Sequence, residues 1–330
     1  MYEIIQTGKN QIENLLDVVK RDQLEFSEYR FLSDYMLKEN FLQKSLKILE
    51  NENSLSFTLL SGKNITALIN CVKDEFDSEM FGFPCYRISD LIVLSKDFET
   101  SKKVVSALIL TLEKTLGETS SSFYMAHSLN NNTPESDHLF NSLTNAGFYY
   151  IHTLLTFSSI KQTFDTRTYY PEENIKIRTA TLEDVEAVSN LALKSFRYSR
   201  FHLDPFLDNK KAGILLKTSA ENSIKKGFVD IMFVAERNGN VAGYYSAKKN
   251  YNPSFEKTIG NAVISAVDSE HRGVGIFSKM DSHLLNWFAG QTDFAEMGTY
   301  LANYPVHKTW INKGLSLTRG MHQFSKIIVN

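Results

Sequence analysis

The sequence predicts an α/β fold in two domains, and three observations carry that reading. Strand-like and helix-like segments alternate along 330 residues, more chain than a single core commonly organises. Two turn signals, Ser61-Gly62-Lys63-Asn64 and Asn238-Gly239, each join apolar runs of strand length, so hairpins contribute to the sheets. One order of elements also recurs: strand, polar loop, helix, glycine with a large apolar residue, strand. It spans Phe123 to Phe157 and returns at the C-terminal end of the chain, a weak internal repeat.

Taken in order, Ile12, Leu15, Leu16 and Val19, then Phe31, Tyr35, Met36, Phe41, Leu42, Leu46 and Leu49 recur at helical spacing between Asn10 and Asn51. Residues 55–60 and 65–72 read as strands about the first turn, 86–94 as a strand, 100–116 as a helix, 123–129 as a strand, 135–146 as a helix and 149–157 as a strand. A polar stretch, KQTFDTRTYYPEEN, marks a boundary. The expected domains are therefore 1–160, a linker at 161–174, and 175–330. In the second, Ile175–Arg178 suits a strand and Thr181-Leu-Glu-Asp184 a capping-box helix start. A charged and aromatic segment, RYSRFHLDPFLD, interrupts the helices before a further one at 210–226. Strands at 230–237 and 240–248 flank Asn238-Gly239 and lead to a central strand.

That central strand opens the most informative stretch, Ile259 to Phe288. Ala262, Val263, Ile264, Ala266 and Val267 suit a buried strand, while Ile276, Met280, Leu284, Leu285 and Phe288 mark an amphipathic helix. Between them lie Arg272, Gly273, Val274 and Gly275. Glycines let backbone approach a ligand, and free N–H groups at a helix start favour an anion, so the loop reads as a pyrophosphate cradle. It lacks the terminal Gly-Lys-Ser/Thr of a Walker loop and the third glycine of a dinucleotide fingerprint. About thirty residues on, Phe294–Thr299 suits a strand and Asn303–Lys313 a helix, with Asn303 as N-cap, Pro305 in the first turn and Gly314-Leu315 after its end.

The string Arg-Gly-Val-Gly-Ile-Phe resembles the R-x-x-G-x-G/A loop of the Gcn5-related N-acetyltransferases (GNAT), with Phe277 where Gly or Ala is usual. Asn303, Val306, Trp310, Gly314 and Leu315 fall in register with the family's N-x-x-A-x-x-x-Y-x-x-x-G-F element. The resemblance covers roughly Ile175 to Asn330. It implies tandem GNAT-like domains, each a mixed, mostly antiparallel sheet flanked by helices, with the second domain a complete GNAT fold. The first lacks an Arg-Gly-x-Gly loop and is expected to share the fold without binding the cofactor. The implied co-substrate is acetyl-CoA, with no metal, held by Ala266, Val267, Arg272, Gly273, Val274, Gly275, Ile276, Phe277, Asn303, Val306 and Trp310.

Two shorter matches resemble the GNAT group that acts on the 4-amino group of nucleotide-linked (dTDP) dideoxy sugars such as dTDP-fucosamine. Asp77-Ser-Glu-Met-Phe-Gly-Phe-Pro84 is similar to its D-S/T-x-F-F-G segment, and Ser199-Arg200-Phe201 to its S-R-F. Thr299 to Asn303 matches its T-Q-x-x-N except that Tyr300 replaces Gln. The implied partner is a nucleotide-sugar acceptor met by Arg197, Ser199, Arg200, Phe201, His202 and Thr299, within surface polysaccharide synthesis. The residues alone support this in one respect: Arg197, Arg200 and His202 could hold a diphosphate while Tyr198 and Phe201 stack on a base or sugar. Another small amine as acceptor, or a non-catalytic acyl-CoA-binding protein, stays open.

The resemblance implies direct attack of a neutral amine on the thioester, with a backbone N–H near Ala266-Val267 stabilising the oxyanion. The family's tyrosine acid falls on Trp310, whose indole has no useful acidic proton. Tyr300 and Tyr304 are the leading replacements, and Glu296 is a candidate base beside Asp268, His202 and a water chain.

Composition sets outer bounds. With 36 basic and 38 acidic side chains the net charge is −2, so there is no basic footprint for nucleic acid or anionic membrane. Cys71 and Cys85 offer neither a disulfide framework nor a metal cluster and read as buried apolar side chains. The N-terminal stretch does not read as a signal peptide, and the expected protein is soluble and cytoplasmic. A homodimer is left open.

Overall fold

The structure is a computed structural model of the chain, and it describes residues 2–24, 32–130, 135–160, 174–196 and 199–329. The chain forms two compact units, Met1–Leu154 with Arg319–Asn330, and Leu155–Thr318. The sequence placed the boundary in the polar stretch after Ser158. The units instead divide inside a strand, and the C-terminal residues belong with the first unit.

In the first unit the strands are β1 (Tyr2–Gln6), β2 (Ser54–Ser61), β3 (Asn64–Lys73), β4 (Cys85–Val93) and β5 (Ser122–Asn130). The sheet order is β1-β2-β3-β4-β5, with the C-terminal strand β12 (Ser316–Val329) next to β5. Met321 to Val329 pair antiparallel with Asn130 to Ser122. The β1–β2, β2–β3, β3–β4 and β5–β12 pairs are antiparallel and β4–β5 is parallel. Helices α4 (Phe98–Gly117) and α5 (Glu135–Asn145) bury Val104, Leu108, Leu112 and Leu143 against Ile69, Ile88, Met125 and Phe324. On the other side α1 (Lys9–Val18) and α2 (Asp34–Leu49) contact β2 and β3. The segment Asp77 to Pro84 contains the end of a short helix, α3 (Glu75–Phe81), which Gly82 stops in the left-handed conformation. Both cysteines are buried and free, and burial pushes the Cys71 thiol up to about 12.

The second unit takes the end of β6 (Tyr149–Ile160), then β7 (Ile175–Thr179), β8 (Ile231–Arg237), β9 (Asn240–Asn252), β10 (Lys257–Val267) and β11 (Phe294–Tyr300). Its sheet order is β6-β11-β10-β9-β8-β7. The β8–β9 hairpin turns through Asn238 and Gly239, both at positive φ, as an Asn-Gly turn requires. Helices α6 (Val185–Ser195) and α8 (Asn209–Lys225) cover one face, burying Val188, Leu191 and Ala220 against Val234, Tyr244 and Ala266. Helices α9 (Ile276–Gln291) and α10 (Tyr304–Asn312) cover the other, with Met280, Leu284, Phe288 and Trp310 against Ala247, Tyr245 and Ala295. Gly260 brings α9 down onto the sheet, because a Cβ there would lie 2.4 Å from Cδ1 of Phe288.

Among the described pairings each unit has one parallel strand pair, and in each the pairing stops early. β10 and β11 share three rungs, Ile259–Asn261 with Phe294–Glu296, and β10 then runs on to Val267 without β11. β4 and β5 share four, Cys85–Ile88 with Tyr124–His127. Parallel strands that part in mid-course leave main-chain groups facing a gap, so each unit holds a fork. Among the described residues no helix is long and apolar enough to cross a membrane.

Candidate active site

The fork of the second unit is shaped by an irregularity in β10. Its register with β9 shifts between Ala262 and Ile264, where Val263 bulges out and is 52% exposed. The Ser246 hydroxyl fills the irregularity, 3.3 Å from the Ile264 N–H and 3.2 Å from its carbonyl. Beyond the bulge Ala266 pairs with Tyr244, and the Asp268 N–H bonds to the Ala242 carbonyl. Alternation then directs the Ala266 main chain at β9 and the Ser265 and Val267 main chains into the gap left by β11. Of the two residues the sequence offered as oxyanion donors, Val267 has its N–H on the gap side. Its carbonyl is taken by Arg272, whose Nε donates at 3.2 Å.

After β10 the chain makes one 3-10 turn at Ser269–His271 and enters the glycine loop. Gly273 and Gly275 both have φ +83°, a conformation that a side chain opposes. Gly275 is the N-cap of α9, with no side-chain cap hydrogen bond and no acidic residue in the first turn. The positive end of a sixteen-residue helix thus meets an exposed loop carrying Arg272, an arrangement suited to an anion.

Phe277 is the residue that departs from the family pattern. Its ring turns inward, stacked on Tyr245 with centroids 5.5 Å apart and facing Trp310 at 6.4 Å. Trp310 is 2% exposed and donates its indole N–H to Asp281 Oδ1 at 3.1 Å. Asp281 is fully buried, and burial pushes its carboxyl up to about 7 against the pull of nearby Lys313 and the Trp310 bond. Lys313 is also fully buried and donates to Ser282. Tyr245 reaches from β9 past β10, its hydroxyl 3.6 Å from Met297 Sδ on β11, and burial holds that phenol well above its ordinary range. Sequence reasoning missed Asp281, Tyr245 and Met297, since nothing in their local pattern differs from that of other core positions.

Glu296 stands on the last rung before the fork, opposite Asn261. Asn261 donates to Glu296 at 3.1 Å and accepts from Asn250 at 2.6 Å. Gly260 faces α9, so its neighbour Asn261, with Glu296 beside it, faces the side covered by α6 and α8. The segment between those helices is the one expected to meet the acceptor. There Ser199 caps the short helix α7 (Arg200–Leu203), and its hydroxyl lies 2.8 Å from His202 Nδ1. Burial lowers the His202 pKa. The Arg200 guanidinium lies 4.0 Å over the Phe201 ring. Arg197 and Tyr198 lie outside the described residues.

At the C-terminal end of β11, Asn303 N-caps α10 through its main chain while its side chain donates to Thr299 Oγ1 at 2.8 Å. The Tyr300 carbonyl receives the Asn303 N–H at 3.0 Å and faces His307 Nε2 at 3.2 Å. Tyr304 is 70% exposed, its ring edge-on to His307, and Val306 is half-buried against the α9 core.

The first unit differs where it matters for an anion. Its helix α4 follows its fork as α9 follows the other, but Asp97 caps α4 and accepts from the Thr100 N–H at 2.8 Å. Bonds from the Thr100 hydroxyl and N–H hold that carboxyl below its usual range. A fixed carboxylate occupies the helix end that a diphosphate would need.

No protein-family model matches the chain, and no curated protein does. Solved structures do. Over 99% of both lengths the chain is similar to a tandem GNAT protein from the clavulanic acid biosynthesis pathway, at TM-score 0.57 and 13% identity. A GCN5-related N-acetyltransferase from Sphaerobacter thermophilus gives TM-score 0.62 and 10% identity over 100% of this chain and 96% of that one. A glucosamine N-acetyltransferase region of a fungal multi-domain β-N-acetylglucosaminidase gives 0.61 and 11% over 99% of this chain and 38% of that one. These likenesses establish the fold class. The chain has the tandem GNAT fold, two α/β units built on mixed sheets flanked by helices.

Proposed function

We propose that the protein is an acetyl-CoA-dependent N-acetyltransferase whose chemistry takes place in the second unit. The observation that carries the reading is the pairing of an opened β10–β11 fork with an uncapped α9 N-terminus at the end of the same strand. The fork would admit the pantetheine arm and the loop Arg272 to Phe277 would hold the diphosphate, with Asn303 and Val306 beside the arm. No covalent enzyme intermediate is needed. The Val267 N–H lies on the side where the thioester carbonyl would develop negative charge, and a fixed amide costs nothing to reorganise. The neutral amine attacks the carbonyl carbon, the C–S bond breaks, and CoA leaves as thiolate.

Glu296 is the proposed base for the amine proton, reached from the α6–α8 side and oriented by Asn261. Trp310 has its N–H committed to Asp281, so it holds α10 against α9. The proton for the thiolate would come from the phenol of Tyr300 or Tyr304 at the open end of β11.

The acceptor is proposed to be a nucleotide-linked 4-amino-dideoxy sugar, as the Ser199-Arg200-Phe201 and Asp77–Pro84 resemblances imply, for use in surface glycan synthesis. Arg200 on the acceptor face supports a phosphorylated ligand. A simpler small amine is the second reading, favoured by the burial that lowers the His202 pKa and so disfavours its cation. An acceptor profile separates them. If a dTDP-4-amino sugar turns over with a kcat/KM at least tenfold above those of amino acids and simple sugars, the nucleotide-sugar reading holds. Equal values would remove it.

A further inference from the structure

The two faces of the β10–β11 fork are not equally open. Ala295 packs in the core under α9, so alternation along β11 puts Met297 on the α9 face and Glu296 and Gly298 on the other. Met297 follows directly on the last rung that β11 shares with β10, which places its side chain at the vertex, where the strands begin to part. Met297 is fully buried. Tyr245, 2% exposed, donates its hydroxyl to Met297 Sδ at 3.6 Å and stacks on Phe277 from the first turn of α9. Trp310, fixed by its bond to Asp281, meets Phe277 and Phe157 at centroid separations of 6.4 Å and 5.4 Å. A packed wall of one methionine and four aromatic rings thus closes the α9 face, and atoms added there must displace a side chain. On the opposite face β11 presents Gly298, exposed and without a side chain. That is the side from which an amine would reach Glu296.

A thioester seated with its carbonyl at the Val267 N–H would hold its acyl group between this wall and the path of the amine. An acetyl group ends at one methyl and needs neither space. Each further methylene would push Met297 into the rings behind it or extend past Gly298 across the route of the acceptor. On the reading of this fork as the acetyl-transfer site, we propose that Met297, held by Tyr245, sets the acyl-chain length and restricts the protein to the shortest acyl groups.

Calorimetric titration of the full chain with acetyl-CoA and with hexanoyl-CoA tests this without an acceptor. The wild type should bind hexanoyl-CoA no more tightly than acetyl-CoA, because the longer chain finds no apolar space to enter. Met297→Ala opens that space and should tighten hexanoyl-CoA relative to acetyl-CoA by about tenfold or more, the effect of burying two methylene groups. Met297→Val, a smaller truncation that suits a strand, should shift the ratio in the same direction and serves if the alanine variant does not fold. With the best acceptor of the profile above, the wild-type kcat/KM for hexanoyl-CoA should lie about a hundredfold or more below that for acetyl-CoA. Tighter binding of hexanoyl-CoA than of acetyl-CoA by the wild type, an unchanged ratio in the folded variants, or equal kcat/KM for the two thioesters would overturn the proposal and leave acetyl transfer standing. Failure of acetyl-CoA to bind would remove both.

Discussion

Asn261 donates its side-chain amide to Glu296 at 3.1 Å across the last rung that β10 and β11 share. The bond fixes a carboxylate at the point where the strands part, on the face covered by α6 and α8. Glu296→Gln keeps the size of the side chain and removes the proposed base. Its kcat for acetyl transfer at pH 7 should fall by about 10²-fold or more, with the acetyl-CoA KM within twofold of wild type. Steady-state kinetics against both substrates reads this, and an unchanged kcat would leave amine deprotonation to solvent.

Arg200 is expected to act on the acceptor alone. Arg200→Ala removes the guanidinium stacked on Phe201 and should raise the acceptor KM about tenfold or more, leaving the acetyl-CoA KM unaltered. Equal effects on the two constants would remove Arg200 from the acceptor site.

Asp281 gives stability a pH dependence whose sign follows from burial. Its pKa rises from the ordinary 3.8 to about 7 in the folded chain, so the folded state binds the proton more tightly than the unfolded state. The stabilisation is whole below about pH 4 and is lost as pH rises to about 7. Asp281→Asn keeps an acceptor for Trp310 and removes the titration. Between pH 4 and pH 7 the wild type should lose stability relative to this variant, by at most about 4 kcal/mol. Denaturant midpoints across that range measure it, and parallel curves would contradict it.

Gly260 faces the buried ring of Phe288, and a methyl group there would lie 2.4 Å and 2.5 Å from two ring carbons. Gly260→Ala should cost about 1–3 kcal/mol by overpacking. Thermal unfolding of Gly260→Ala and of the double variant Gly260→Ala/Phe288→Leu checks the cause, since the second change should restore part of the loss.

Much of the second unit was legible locally. Gly273 and Gly275 sit in a short loop between an apolar strand and an amphipathic helix, and Asn303 to Leu315 follows at a fixed distance, so neighbouring residues carry that signal. The bulge at Val263 and the early end of β10–β11 pairing are set by strands packed around them, which no local pattern records. The inward turn of Phe277 depends on Tyr245 and Trp310, far off in sequence. A strand at the C-terminal end follows from the recurring order of elements, but its partner does not. β12 pairs with β5, about two hundred residues earlier, as with Phe324 beside His127, and its mixed string of Ser, Thr, Arg, Gln and apolar residues carries no local mark of that partner.

The central claim is that the α9 N-terminus and its glycine loop hold the diphosphate of coenzyme A while the Asp97-capped α4 does not. Gly275→Asp tests it most directly, because it gives α9 the same kind of carboxylate cap that α4 already has, at a left-handed position that Asp tolerates better than most residues. Titrating acetyl-CoA into the wild-type chain by calorimetry should give one bound molecule per chain, and into the folded Gly275→Asp variant at least a hundredfold weaker binding. No heat with the wild type, or equal affinity in the two, would contradict the account.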